Sequence, residues 1–288
     1  MLLKIEGLKK YFPIKKGLIP KPVSFVRAVD GVDMEIPEGR HLGLVGESGC
    51  GKTTLGRLVV RLYKPDQGRI FLEDDDVAAL SAKELRPLRS KVQMVFQDPY
   101  SSLDPRFTIN RVLDEALLLQ QKGLSRSERT ARKEEMLHAV GLKPDVLDRY
   151  PHEFSGGERQ RIAIARALVM RPRLLILDEV VSSLDVLIQQ QILGLLSELQ
   201  EKYRLTYLFI SHNLRVVKKV SRHIAVMYQG KIVEWGPAEE IFENPLHDYT
   251  KELLAAAVEY KSYMRDRSFH IDENSRLIDQ GNGHFVLH

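Results

Sequence analysis

Apolar and polar residues alternate with period two over Ala28–Ile36, and with the β-rich runs Leu2–Glu6 and Arg40–Val45, the last leading into a glycine loop, they predict three strands near the start of the chain. Between the first two, Pro13–Pro22 carries lysines and prolines and reads as an exposed loop. The period then changes. Leu55, Leu58, Val59 and Leu62 recur at helical spacing and predict a helix over Thr53–Leu62, followed by strands at Arg69–Leu72 and Lys91–Phe96. From Thr108 to about Arg171 the pattern is helical throughout: Val112, Leu113, Ala116 and Leu117 share a face, Ser125 with Glu128 makes a capping box, and a further helix spans Ser155–Met170. Strand periods return at Leu174–Leu177 and Thr206–Ile210 on either side of a helix at Val186–Lys202. His223–Tyr228 and Lys231–Trp235 read as two strands joined around Gln229-Gly230, with a helix start at Pro237 and an amphipathic helix at Asp248–Val258. Beyond Tyr260 the periodicity is weak and the segment reads as a tail. The expected architecture is an α/β core with an all-helical insertion in its middle.

Composition narrows the classes. Hydrophobic residues make up 43% of the chain and charged residues 28%, which suits a packed core and argues against wholesale disorder. The formal net charge of +4 is too small and too dispersed to suggest a nucleic-acid partner. A single cysteine, Cys50, rules out an internal disulfide or a thiolate metal cluster and suits a reducing compartment. No apolar run is long enough to span a bilayer, and Lys4 interrupts the opening apolar residues at once, so neither a span nor a signal peptide is expected.

Three stretches carry chemistry. Gly46-Glu-Ser-Gly-Cys-Gly51-Lys52-Thr53 fits G-x-x-x-x-G-K-[ST] at every fixed position and lies between a predicted strand and a predicted helix. Its backbone N–H groups can curl around a phosphate at the positive end of the helix, Lys52 can reach the β- and γ-phosphates, and the Thr53 hydroxyl is placed for Mg²⁺. Cys50 reads as a small filler residue. Leu174-Leu-Ile-Leu177 ends in Asp178 and Glu179; a buried strand would deliver Asp178 to the metal, and Glu179 could polarise a water for attack on the γ-phosphate. Ser155-Gly156-Gly157-Glu158 is a helix N-terminus with Ser155 as cap, yet a cap alone needs no pair of glycines, which suggests a second phosphate clamp.

Together these stretches resemble the ATPase subunit of an ABC importer over about Leu2 to Val258. Phe154–Glu158 resembles the family signature L-S-G-G-Q, with Phe and Glu at its ends. The resemblance implies a P-loop NTPase fold of the ABC type: a RecA-like core, an N-terminal antiparallel β-subdomain and a helical subdomain at about 98–171, with 259–288 a short C-terminal tail. It implies ATP and Mg²⁺ as ligands and a head-to-tail pair of subunits. Each ATP would be held by Gly46, Glu47, Ser48, Gly49, Cys50 and Gly51 with Lys52, Thr53 and Thr54 of one subunit, and by Ser155, Gly156, Gly157 and Glu158 of the other. Gln97 is similar to the glutamine that contacts Mg²⁺ and the attacking water, Asp185 in Ser183-Leu184-Asp185 to the loop that reaches across the pair, and His212 to the histidine that contacts the γ-phosphate. Phe12, with Tyr11 as rival, is the aromatic expected on adenine. Val180 and Ser183 depart from the usual Pro and Ala, at positions that carry no catalytic group.

Lys10–Gly17, Phe96–Arg106 and Asn244–Thr250 resemble the oligopeptide, dipeptide and nickel importer ATPases, the first being similar to the second of the two ATPases in such systems. Asp248 stands where that branch has Pro. Gly281–His288 resembles the end of the branch's tail with its cysteine replaced, so composition leaves no iron–sulfur cluster there. The implied partners are a second, related but non-identical ATPase (a homodimer is the other arrangement), two membrane permeases and an extracytoplasmic solute-binding protein. The implied location is the cytoplasmic face of the cell membrane. An ATPase of a soluble assembly such as carbon–phosphorus lyase is the alternative. ABC ATPases of chromosomes or ribosomes fit less well, because long coiled coils and a second cassette are both missing from this sequence.

Overall fold

In a computed structural model the described residues are 1–16, 21–98, 102–120, 123–259, 269, 271 and 275–287. They form two compact units, Met1–Ala79 with Leu208–His288, and Leu80–Tyr207.

In the first unit, β1 (Leu3–Lys16) and β2 (Lys21–Ile36) pair antiparallel, and β4 (Gln67–Leu72) and β5 (Asp75–Asp76) complete a sheet in the order β2-β1-β4-β5. Register places Leu3 opposite Ile36 and Leu72, and Ile5 opposite Met34 and Ile70. All six are buried, so the period-two pattern is one face of this sheet. The loop expected over Pro13–Pro22 is largely ladder. Lys15 pairs with Pro22 and Lys16 with Lys21, leaving only residues 17–20 outside the described set. Pro13 is tolerated because β1 pairs with β4 only as far as Lys9, so at Pro13 the strand has one neighbour.

The second sheet of this unit runs β11-β12-β10-β9-β3-β8 and brings chemistry to one end. Its strands are β3 (His41–Val45), β8 (Thr206–Ser211, in this unit from Leu208), β9 (His223–Tyr228), β10 (Lys231–Pro237), β11 (Leu277–Asp279) and β12 (Phe285–Leu287). β3 and β9 are parallel. β9 and β10 turn at Gln229 and Gly230, whose φ of 43° and 83° fit the two-residue hairpin predicted there. The segment read as a tail supplies two strands, with Trp235 opposite Phe285 and Ile278 opposite Val286. Its residues 260–268, 270, 272–274 and 288 lie outside the described set. The helices here are α1 (Lys52–Val59), α7 (Leu214–Val220), α8 (Ala238–Glu243) and α9 (Asp248–Glu259). α1 stops short of the predicted Leu62. Arg61 takes φ 54°, its N–H donates to Leu58 O at 3.0 Å and that of Leu62 to Arg57 O at 2.9 Å, a left-handed cap that ends the helix.

In the second unit, β6 (Val92–Val95) and β7 (Leu174–Asp178) are parallel, Val92 beside Leu174 and Val95 beside Leu177. The helices are α2 (Ala82–Leu88), α3 (Ile109–Gln120), α4 (Arg126–Ala139), α5 (Gly156–Leu168) and α6 (Val186–Tyr203). α3, α4 and α5 pack on one another with Leu113, Leu117, Leu137 and Ile162 fully buried. α2 was not predicted, although its capping box of Ser81 and Glu84 has the same spacing as the one recognised at Ser125. Of the Phe96–Arg106 stretch, residues 99–101 lie outside the described set.

A phosphate loop and a carboxylate pair

In the first unit, β3 ends at Val45 and α1 begins at Lys52, and the turn between them is built by its glycines. Gly46, Gly49 and Gly51 take φ of 151°, 83° and 116°, backbone that other residues resist. Two of them also face walls: a Cβ on Gly46 would lie 2.1 Å from Met227 O, and one on Gly51 would lie 2.0 Å from Ala28 O. The loop is thus wedged against β9 and β2, and Gly230 N donates to Cys50 O at 2.9 Å. Gly51 caps α1 without a side-chain bond, which leaves the helix end presented as backbone N–H groups. Lys52 is 4% exposed, and its ammonium donates to Gly46 O and Glu47 O, both at 2.7 Å. A buried cation beside a glycine turn at a helix N-terminus fits a polyphosphate. Burial pushes the Cys50 thiol up, which suits a filler residue rather than a nucleophile.

The two aromatic candidates differ in surroundings. The Tyr11 hydroxyl donates to Asp30, and the Arg27 guanidinium lies 5.9 Å from the Tyr11 ring. Phe12 meets Tyr63, just beyond α1, edge-on at 5.5 Å. His212 follows β8 and is exposed, and the next residue, Asn213, caps α7 by accepting from Arg215 N at 3.1 Å.

In the second unit, Asp178 ends β7 and is 1% exposed. Glu179 takes φ 49°, and its carbonyl accepts from Ser182 N at 3.1 Å and Ser182 Oγ at 2.9 Å, which holds a left-handed non-glycine residue in place. The Gln97 amide nitrogen donates to Glu179 Oε2 at 2.9 Å, so the structure brings these two candidates together. With its nitrogen so engaged, Gln97 keeps its carbonyl oxygen as an acceptor for a cation. Ser155 caps α5 in a full capping box: Ser155 N donates to Glu158 Oε2 at 2.9 Å and Glu158 N to Ser155 Oγ at 3.3 Å. The N–H and hydroxyl of Ser155 hold the Glu158 carboxyl below its usual range. A Cβ on Gly157 would lie 2.7 Å from Ile188 Cγ2, whereas Gly156 has only an ordinary contact. Asp185 caps α6 by accepting from Ile188 N at 3.0 Å.

One participant escaped the sequence. The Tyr249 hydroxyl, from α9, accepts from Glu47 N at 2.9 Å inside the glycine loop. In the sequence it belongs to the Asn244–Thr250 stretch.

A strand, a wedged glycine turn and a helix with a buried lysine define a P-loop nucleotide-binding protein. The family described as ABC transporter matches residues 29–182. The oligopeptide transport ATP-binding protein AppF of Bacillus subtilis is 50% identical over 256 residues, 88% of this chain and 78% of that protein. The dipeptide transport ATP-binding protein DppF of Haemophilus influenzae is 48% identical over 261 residues, 88% and 77% of the two chains. The dimeric ATP-binding cassette MJ0796, solved with ADP and Pi, superposes with a TM-score of 0.72 at 27% identity, over 82% of this chain and 98% of that one. The chain belongs to the ABC transporter family, as an ATP-binding, ATP-hydrolysing subunit.

Proposed function

We propose that this chain energises a peptide importer as one of two ATPases coupled to membrane permeases. The reading rests on the build of the loop at 46–53, where Lys52 is buried on two loop carbonyls at the N-terminus of α1. Its cargo class is supported by the relatives, which are named for oligopeptide and dipeptide transport and favour an importer over a soluble enzyme assembly. In this reading the loop N–H groups and Lys52 hold the β- and γ-phosphates, and Phe12, with Tyr11 as the rival, covers adenine. Thr53, Asp178 and Gln97 are each assigned as a hard-oxygen donor to Mg²⁺, which when bound would neutralise phosphate charge. Glu179, oriented by the Gln97 amide, draws the proton from the attacking water, and His212 contacts the γ-phosphate. Ser155, Gly156, Gly157 and Glu158, with Asp185, serve the nucleotide of the partner ATPase in a head-to-tail pair.

In this reading the ATPase domain spans 1–258, with helical residues at about 98–171, and 259–288 is a short C-terminal extension whose strands β11 and β12 join the sheet of the first unit. The partners are a second, non-identical ATPase, two permeases and a solute-binding protein, with the chain at the cytoplasmic face of the membrane. No helix among the described residues is long and apolar enough to cross a membrane, so such a location would be peripheral. The test is Glu179→Gln: ATP binding is retained, turnover falls by about 10²–10⁴-fold, and a dimer accumulates with ATP. Normal turnover in that variant refutes the assignment of the base. Co-purification with permeases supports the importer, and a soluble complex with metabolic enzymes overturns it.

A further inference from the structure

We infer that Tyr249 is a positioning residue of the phosphate loop, and that Phe269 braces Tyr249. The inference rests on the nucleotide reading of residues 46–53. Gly46 O and Glu47 N belong to one peptide group. That peptide is held at both ends: its oxygen accepts from Lys52 Nζ at 2.7 Å, and its N–H donates to the Tyr249 hydroxyl at 2.9 Å. The loop's other N–H groups can face a phosphate only if this first peptide keeps its orientation, and Tyr249 fixes it from the side opposite the lysine.

Tyr249 is itself rigidly placed. It is 1% exposed, its ring lies 4.4 Å from that of Tyr228, and its N–H donates to His247 Nδ1 at 3.1 Å. The preceding turn is anchored by Glu234, which accepts from Leu246 N at 2.9 Å and His247 N at 3.0 Å. The Asn244–Thr250 stretch, to which the catalytic reading gives no task, is thereby a mount for one hydroxyl. Phe269 closes the cluster: its ring meets Tyr228 at 5.6 Å and Tyr249 at 5.8 Å, both edge-on, and its N–H donates to the Tyr228 hydroxyl at 3.3 Å. Whatever displaces Phe269 therefore loosens the Tyr249 ring and, through it, the loop.

The test compares Tyr249→Phe, Phe269→Ala and Lys52→Ala in the full chain, with Kd for ATP read by displacement of a fluorescent nucleotide. Losing the hydroxyl leaves a part-buried N–H without its acceptor and frees the first loop peptide to turn, and Kd and KM for ATP are expected to rise about tenfold while kcat at saturation stays within about twofold. Phe269→Ala is expected to raise Kd about threefold through loss of the ring contacts. A merely structural role would lower thermal stability and leave KM of the folded protein unchanged. Wild-type Kd in Tyr249→Phe, with binding lost in Lys52→Ala, overturns the inference and spares the nucleotide reading. Wild-type Kd in all three overturns both. If Tyr249→Phe does not fold, Phe269→Ala decides alone, and a wild-type Kd in it overturns the inference.

Discussion

Glu234 has no exposed side-chain surface, sits in β10, and accepts three hydrogen bonds: Leu246 N at 2.9 Å, His247 N at 3.0 Å and His284 Nε2 at 2.7 Å. Two donors belong to the turn before α9 and the third to the β11–β12 hairpin, so one carboxylate joins two segments to the sheet. Glu234→Ala strands all three donors. At about 1–3 kcal/mol for each donor left unpaired, toward the lower end for the two part-buried amides, which can turn to water, the loss should be about 4 kcal/mol. His284→Ala leaves the carboxylate two of its three partners and should cost about 2 kcal/mol. In the double variant the histidine contact is already gone, so it should be little worse than Glu234→Ala, giving a coupling energy of about 2 kcal/mol. Urea unfolding followed by the fluorescence of the single tryptophan measures this directly, because Trp235 stacks on Phe285 of the hairpin at a centroid distance of 5.7 Å. Hydrogen exchange at 285–287 should lose protection in His284→Ala before the rest of the sheet. Additive losses, or single variants each within about 0.5 kcal/mol of wild type, would refute the reasoning.

Ser155→Ala should cost about 1 kcal/mol and reduce amide protection in the first turn of α5. Because the Ser155 bonds hold Glu158 below its usual range, the box contributes above that range and is lost as pH falls through the lowered value; the protection of Ser155 N should follow this course, and an unchanged profile in Glu158→Gln would contradict it. Cys50, 8% exposed with its thiol pushed up by burial, should react with a thiol reagent at least about 100-fold more slowly than a free thiol until the protein unfolds. Immediate stoichiometric labelling of the native chain would count against the wedged loop.

The features legible in advance are those whose causes lie within a few residues. The loop at 46–53 was readable because positive φ is demanded at fixed positions and glycine supplies it. Ser155 with Glu158, and Ser125 with Glu128, were readable because a cap and its partner sit one turn apart. Ser81 with Glu84 carries the same signal, so α2 too is encoded within a few residues. Asp178 and Glu179 were legible as the polar end of a buried apolar run.

The rest depended on partners distant along the chain. Pro13–Lys16 joined a ladder because β2 offered an edge, and no local period reveals which edge is available. Residues 277–287 looked like a tail because two three-residue strands have too little period of their own; pairing with β10 and the Glu234–His284 contact across 50 positions make them strands. Tyr249 and Glu47 stand 202 positions apart, and their bond exists because α9 packs where the glycine loop begins. Local backbone preference and side-chain spacing are properties of the chain alone, and they set which chemistry is carried. Which buried N–H meets which distant hydroxyl or carboxylate is settled only when packing brings them together, since leaving either unpaired inside the protein costs more than most local preferences can supply.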